Sequence, residues 1–180
     1  LLAEFMIKEG DKYQKDLRGR RNQPKGTVVT VEELKRNVDY YRFQANPIPR
    51  NNTYAMVQYK KGLYRVMLED FSTKRKILLK TGVRNIQAEL NPGYPILAWD
   101  PKGSKLLVVY PEAGKIRMFI YDVVTKLKMN KQEIKDFQMI QDAKFMLDNN
   151  TLVMSGVRNG QSDVYVYKIN EQTYQQITND

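Results

Sequence analysis

Neither cysteine nor histidine occurs in this chain. Their joint absence removes disulfides, thiol nucleophiles, imidazole bases and the usual zinc ligands together, although it leaves the compartment open. Tryptophan is nearly missing as well, with Trp99 alone. No apolar run approaches the roughly 20 residues needed to span a bilayer. The opening Leu1-Leu2-Ala3-Glu4-Phe5-Met6 is too short and too acidic for a signal sequence. A chain that opens on Leu rather than Met is expected to be processed or excised, so any targeting segment can have been lost with it.

What is present suffices for a folded domain: 180 residues, of which 42% are apolar. The net charge of +10 invites a nucleic-acid reading. Its distribution argues against one, since residues 1–50 carry 11 basic and 7 acidic side chains and residues 51–180 carry 19 and 13. Two clusters stand out, Arg18-Gly19-Arg20-Arg21 with Lys25, and Lys74-Arg75-Lys76 between two apolar strands. Neither interleaves aromatic residues for base stacking, so both are read as solvated surface and nucleic acid is disfavoured as a partner.

The chain divides into a helical, loop-rich lead and a strand-rich remainder. Leu2, Phe5, Met6 and Tyr13 outline a weak helical face that Gly10 interrupts. Thr30 followed by Glu33 resembles a capping box, which predicts a short helix through about Tyr40 or Tyr41. Asn46-Pro47-Ile48-Pro49 then predicts an extended or turning link, because proline fixes φ and disfavours helix before it.

From Thr53 the period changes to two, and a strand cassette recurs three times. Tyr121-Asp122 matches Tyr167-Lys168 at an offset of 46 residues and Glu69-Asp70 at an offset of 52. The predicted strands are 53–59, 63–69 and 76–80; then 95–99, 105–110, 115–122 and one within 126–134; then 142–146, 151–157, 163–169 and 173–178. Turns are expected at Lys60-Lys61-Gly62, Pro111-Glu112-Ala113-Gly114 and Arg158-Asn159-Gly160, each with a glycine that tolerates positive φ. Tyr64, Val66 and Leu68 map onto Ile116, Met118 and Ile120, and then onto Ser162, Val164 and Val166. The opposite faces are also bulky, which fits sheets sandwiched between neighbours better than sheets with one wet face. An all-strand repeat of this length predicts an all-β fold of three four-stranded β-propeller blades. A ring needs at least about four, so the segment is a partial propeller.

Ala98-Trp99-Asp100-Pro101-Lys102-Gly103-Ser104-Lys105-Leu106, the strand ending Ile120-Tyr121-Asp122 and the closing Gln176-Ile177-Thr178-Asn179-Asp180 resemble the TolB-like, WD40-like propeller repeat. The last unit departs from it at Phe145-Met146-Leu147-Asp148-Asn149-Asn150, which lacks the Pro and the Gly, and the first has only Ala45-Asn46-Pro47 in that place. The resemblance covers about residues 40–180 and leans towards large envelope proteins of Bacteroidota-type bacteria. It implies a periplasmic or envelope-associated location and a role in protein contacts. Locally, Pro101 presets a turn, Asp100 can cap it with its carboxylate, Gly103 releases the chain into the next strand, and Trp99 fills the core between blades.

Catalytic patterns are missing. There is no Ser-x-x-Lys, no Gly-x-Ser-x-Gly and no glycine-rich loop opening a helix. Asp70 and Asp122 recur at equivalent turn entries, where acids serve structure, and Asp148-Asn149-Asn150 lacks the spaced acids of a calcium loop. The expectation is therefore no enzyme, no cofactor and no metal within this chain. Residues 1–50 form the lead, with room for an outer strand of another blade. Residues 51–180 carry the repeats, with blade limits near 40–82, 83–135 and 136–180. The function expected is a non-catalytic protein-protein interaction scaffold of the cell envelope. Its partners would be envelope proteins, together with remaining blades or another chain that completes the ring. Partner-binding loops are expected to present Lys60, Lys61, Arg84, Glu112 and Arg158. The alternative is the regulatory propeller of a serine peptidase whose catalytic domain lies outside the chain.

Overall fold

A computed structural model describes residues 2–21, 40–48, 53–70, 75–82 and 93–179, with helix side chains from 5 to 15 and only the backbone of Tyr40 and Asp70. The chain divides into two units, Leu1–Glu33 and Leu34–Asp180. In the first, α1 spans Leu2–Arg21 and continues through Gly10. Phe5, Met6, Ile7 and Tyr13 are exposed on it.

The second unit holds three antiparallel sheets, each of four strands in sequence order. Blade 1 comprises β1 (Tyr40–Ala45), β2 (Thr53–Lys60), β3 (Leu63–Asp70) and β4 (Lys76–Gly82). Blade 2 comprises β5 (Ile96–Trp99), β6 (Lys105–Glu112), β7 (Lys115–Asp122) and β8 (Lys128–Glu133). Blade 3 comprises β9 (Met139–Phe145), β10 (Thr151–Arg158), β11 (Gln161–Lys168) and β12 (Thr173–Gln176). The offsets of 52 and 46 thus join the last residues of β3, β7 and β11.

Two expectations need correction. The helix expected to run from Thr30 through Tyr40 or Tyr41 ends wrongly, because Tyr40 and Tyr41 pair with Tyr59 and Gln58 and open β1. The rest of that segment, to Asp39, lies outside the described residues. Aromatic Tyr-Tyr-Arg-Phe suits a pleated, half-buried surface, and pairing to β2 outweighs a local cap signal. The turn expected at 111–114 is shorter as well: Pro111 pairs with Ile116 inside the ladder, and only Ala113-Gly114 turns. Pro111 is tolerated because β5 pairs with β6 only as far as Val109.

Blades stack face to face through two seams. Tyr64, Val66 and Leu68 of blade 1 pack with Trp99, Leu106, Phe119 and Tyr121 of blade 2. The other face of blade 2, with Ile116, Met118 and Ile120, packs with Leu152, Met154 and Tyr167 of blade 3. The equivalent face of blade 3 has the same register but a different environment, since Ser162 is exposed and Val164 and Val166 are half-buried. Alternation in the sequence marks a shared face; burial comes only from the sheet that covers it.

The repeat motif acts as its residues suggest. The Asp100 carboxylate accepts the Lys105 N–H at 2.6 Å and the Ser104 hydroxyl at 3.1 Å, and Gly103 adopts φ +65. In blade 3, where the motif departs, Asp148 accepts the N–H groups of Asn150 and Thr151 and the Thr151 hydroxyl. Trp99 is buried in the first seam and donates its indole N–H to the Gln44 carbonyl at 3.0 Å. It is a packing residue.

Candidate functional site

The first strand of each blade lies innermost, and β5 sits beside both β1 and β9. Between these three strands opens a concavity of about 220 Å³, whose polar wall includes Arg42, Gln44, Asp142 and Lys144. Its floor is apolar, with Val57, Ile96 and Leu97. Arg42 pairs with Val57 across β1 and β2 and so shares its face, while Leu97 turns into the first seam and Ile96 into the second, so the concavity lies where both seams reach the inner strands.

Arg42 is the fixed cation of this site. Its two terminal nitrogens donate to the carbonyls of Gly93 at 3.0 Å and Pro95 at 2.7 Å, which ties β1 to the entry of β5. Its Nε is buried without a hydrogen-bond partner among the described residues. Opposite, the Asp142 carboxylate accepts the Ala143 N–H at 2.9 Å and the Lys144 ammonium at 3.1 Å. That pair is more than half exposed, so water screens it and it can exchange partners at little cost. Beside the site, the Tyr94 hydroxyl accepts the Ile140 N–H at 2.7 Å, and burial pushes its phenol above the usual range. Chemically, the wall offers cationic donors, one carboxylate and an amide above an apolar floor. Such a surface suits a polar polypeptide segment.

No family model matches the chain, and no curated protein matches it. Solved structures do. TolB from Acinetobacter baumannii superposes with a TM-score of 0.52 at 17% identity, covering 71% of this chain and 29% of that one. The fold is that of a TolB-like β-propeller. The AtxE2 isopeptidase in its apo form gives 0.54 at 15% identity, covering 76% of this chain and 28% of that one. The β-propeller domain of the Trilobed protease from Pyrococcus furiosus gives 0.50 at 12%, covering 71% and 40%. At these identities the likeness is one of fold, and the chain spans less than half the length of each.

Within the TolB-like propeller, the residues expected at partner-binding loops fall at one repeated place. The hairpins joining the second and third strands of the blades carry Lys60 and Lys61, then Glu112, then Arg158. Arg84 lies outside the described residues. Lys61, Ala113 and Asn159 all adopt positive φ, each followed by a glycine that does the same. Glu112 pairs with Arg117 at 3.1 Å on its own hairpin. Arg158 is held by its blade: its guanidinium lies 4.8 Å from the Tyr174 ring centre and 6.0 Å from that of Phe137. Sequence reasoning missed Arg42, Gln44, Asp142 and Lys144. The first two stand in a segment that carries a helix signal upstream, and nothing local marks a strand as innermost. Among the described residues no group of three or more acidic side chains could hold a metal ion, and no helix is long and apolar enough to cross a membrane.

Proposed function

We propose that this chain is a non-catalytic, protein-binding scaffold of the cell envelope, which receives a segment of its partner at the inner-strand concavity. The observation that carries this reading is the convergence of Arg42, Gln44, Asp142 and Lys144 from two different blades on one polar-walled opening. The acids and aromatics that could suggest a reaction centre are committed elsewhere, Asp100 and Asp148 in turns and Trp99, Phe119 and Tyr121 in a seam. The hairpin corners with Lys60, Lys61, Glu112 and Arg158 are proposed as a second contact surface, and Arg84, outside the described residues, is kept as a candidate from the sequence alone. The envelope location rests on the resemblance of the repeat to envelope propellers.

Site-specific photo-cross-linking in an envelope fraction tests this reading, with the cross-linker at Lys144 or at Lys60. A common partner captured from both positions, and lost on adding unlabelled chain, supports it; the absence of any saturable product from either overturns it. The second reading, a regulatory propeller of a serine peptidase, is favoured by the peptidase and isopeptidase structures among the similar folds. It predicts that the whole protein reacts with a serine-directed fluorophosphonate, whereas the scaffold reading predicts no labelling.

A further inference from the structure

A second surface lies away from the inner strands, where β4 of blade 1 meets β8 of blade 2. Strand β8 contains a bulge: Ile120 pairs with Met129 and Met118 with Gln132, so Asn130 and Lys131 together oppose Phe119. Asn130 adopts φ +49 there. In a regular strand, residues three apart point to opposite faces; the extra residue brings Lys131 to the side that already carries Lys128. From the neighbouring blade, β4 contributes Lys76.

Two of these ammoniums lie against aromatic side chains of β7. Lys76 Nζ lies 4.8 Å from the Tyr121 ring centre and donates to the Tyr121 hydroxyl at 2.7 Å. Lys128 Nζ lies 5.0 Å from the Phe119 ring centre and donates to the Leu78 carbonyl. Lys128 stands opposite Tyr121 and Lys131 opposite Phe119, which are two residues apart on β7, so these two lysines leave the edge strand a strand's period apart, about 7 Å. Partial burial, and then the like charges of Lys131 and Lys76, hold the Lys128 ammonium below the ordinary lysine range. Among the described residues, Glu69 is engaged with Arg75 at 2.6 Å and Glu133 with Lys115 at 2.8 Å. All three lysines are exposed.

We propose that Lys76, Lys128 and Lys131 form a docking strip for an acidic protein segment in extended conformation, with carboxylates at alternate positions. Alternate side chains on one side of an extended segment repeat at the same roughly 7 Å as the positions of Lys128 and Lys131 along the edge strand. Pairing across the strip relieves the mutual repulsion of the three cations. A nucleic acid is a poorer fit, because Phe119 and Tyr121 are buried and offer no face for a base. The bulge also disrupts the outer edge of the blade against pairing with another strand, which leaves recognition to the side chains.

Fluorescence anisotropy of the full chain with a labelled peptide of alternating Glu and Thr tests the strip independently of the inner-strand concavity. Lys128→Gln and Lys131→Gln should each weaken binding about two- to five-fold, the range of an exposed charge pair. Lys76→Arg should retain binding, while the charge-matched control Lys135→Gln should leave it unchanged. Equal weakening by Lys135→Gln overturns the proposal, as does equal affinity for a peptide of the same composition with its Glu residues in one block. Lysine-dependent binding to phosphatidylglycerol vesicles without binding to the alternating peptide also overturns it, in favour of a lipid surface. None of these outcomes bears on Lys144 or Arg42, so the strip and the concavity can fail separately.

Discussion

The two seams between blades solve the same packing problem with different materials. The first is aromatic, with Tyr64, Trp99, Phe119 and Tyr121, and is tied by polar bonds along its whole length. Arg42 reaches the Gly93 and Pro95 carbonyls at the inner end, Asn46 reaches the Gly103 carbonyl at 2.8 Å, and Lys76 and Lys128 cross at the outer end. The second is mainly aliphatic, with Ile96, Ile116, Met118, Ile120, Ile140 and Leu152. Fewer polar bonds cross it among the described residues: the Ile140 N–H to Tyr94, Gln132 to the Tyr167 hydroxyl and the Ile169 carbonyl, both at 3.1 Å, and at the surface Asn130 to Asn170. Apolar burial is nondirectional, whereas polar ties across a seam fix one alignment. The first seam therefore holds one relative placement of its sheets, and the second tolerates small slips.

The largest expected effect is Trp99→Ala, which should cost about 3–5 kcal/mol, against about 0.5–1.5 for Ile120→Val in the second seam. Urea unfolding of both variants measures the contrast, and similar costs would erase the distinction. Next is Gly103→Ala. A Cβ there would lie 2.1 Å from Asn46 Oδ1 at a backbone φ of +65. Strain and the lost tie should together cost about 2–3 kcal/mol. Adding Asn46→Gly should recover the steric part, so strict additivity in the double variant would show that the turn and the seam are not coupled. Gln132→Leu follows at about 1–2 kcal/mol, for two acceptors left without their donor in the second seam. Here hydrogen exchange should quicken in blade 3 and not in blade 1; uniform quickening would mean that both seams open as one.

The smallest effect separates turns from seams. The Thr125 N–H above all, with that of Val124, holds the Asp122 carboxyl below its ordinary 3.8, and the Thr151 hydroxyl does the same for Asp148. Groups depressed in the folded state add stability above the ordinary value and lose it as pH falls through the folded one. Carbon-13 titration should place both midpoints below 3.8, and Thr151→Val should return Asp148 towards 3.8 while leaving Asp122 in place. A shift of both would mean that the two turns communicate through the second seam.

Much of the propeller can be read from residues in order, because hairpin turns and alternation are local. Gly62, Gly114 and Gly160 mark three hairpins, and Trp99-Asp100-Pro101 marks the motif turn. What resists such reading depends on neighbours. Tyr40–Ala45 becomes a strand because β2 is there to pair with it, and Lys131 joins Lys128 only because of a bulge that no turn residue announces. Val164 and Val66 have equivalent places in their sheets, yet only Val66 is buried. The candidate site was the least legible part. Arg42 and Lys144 meet around one opening only after three sheets have been placed side by side.

The paired left-handed residues at Lys61-Gly62, Ala113-Gly114 and Asn159-Gly160 carry a kinetic consequence. Each closes a hairpin of two eight-residue strands with a two-residue loop, so its contacts join residues close in sequence and incur little loop-closure entropy. Hairpins of this kind form in about 1–10 μs, well before distant pairings. Three such nuclei can arise independently along the chain, and the slow step becomes the docking of one completed hairpin against the next. Assembly then resembles the joining of prefabricated panels more than the collapse of a single core.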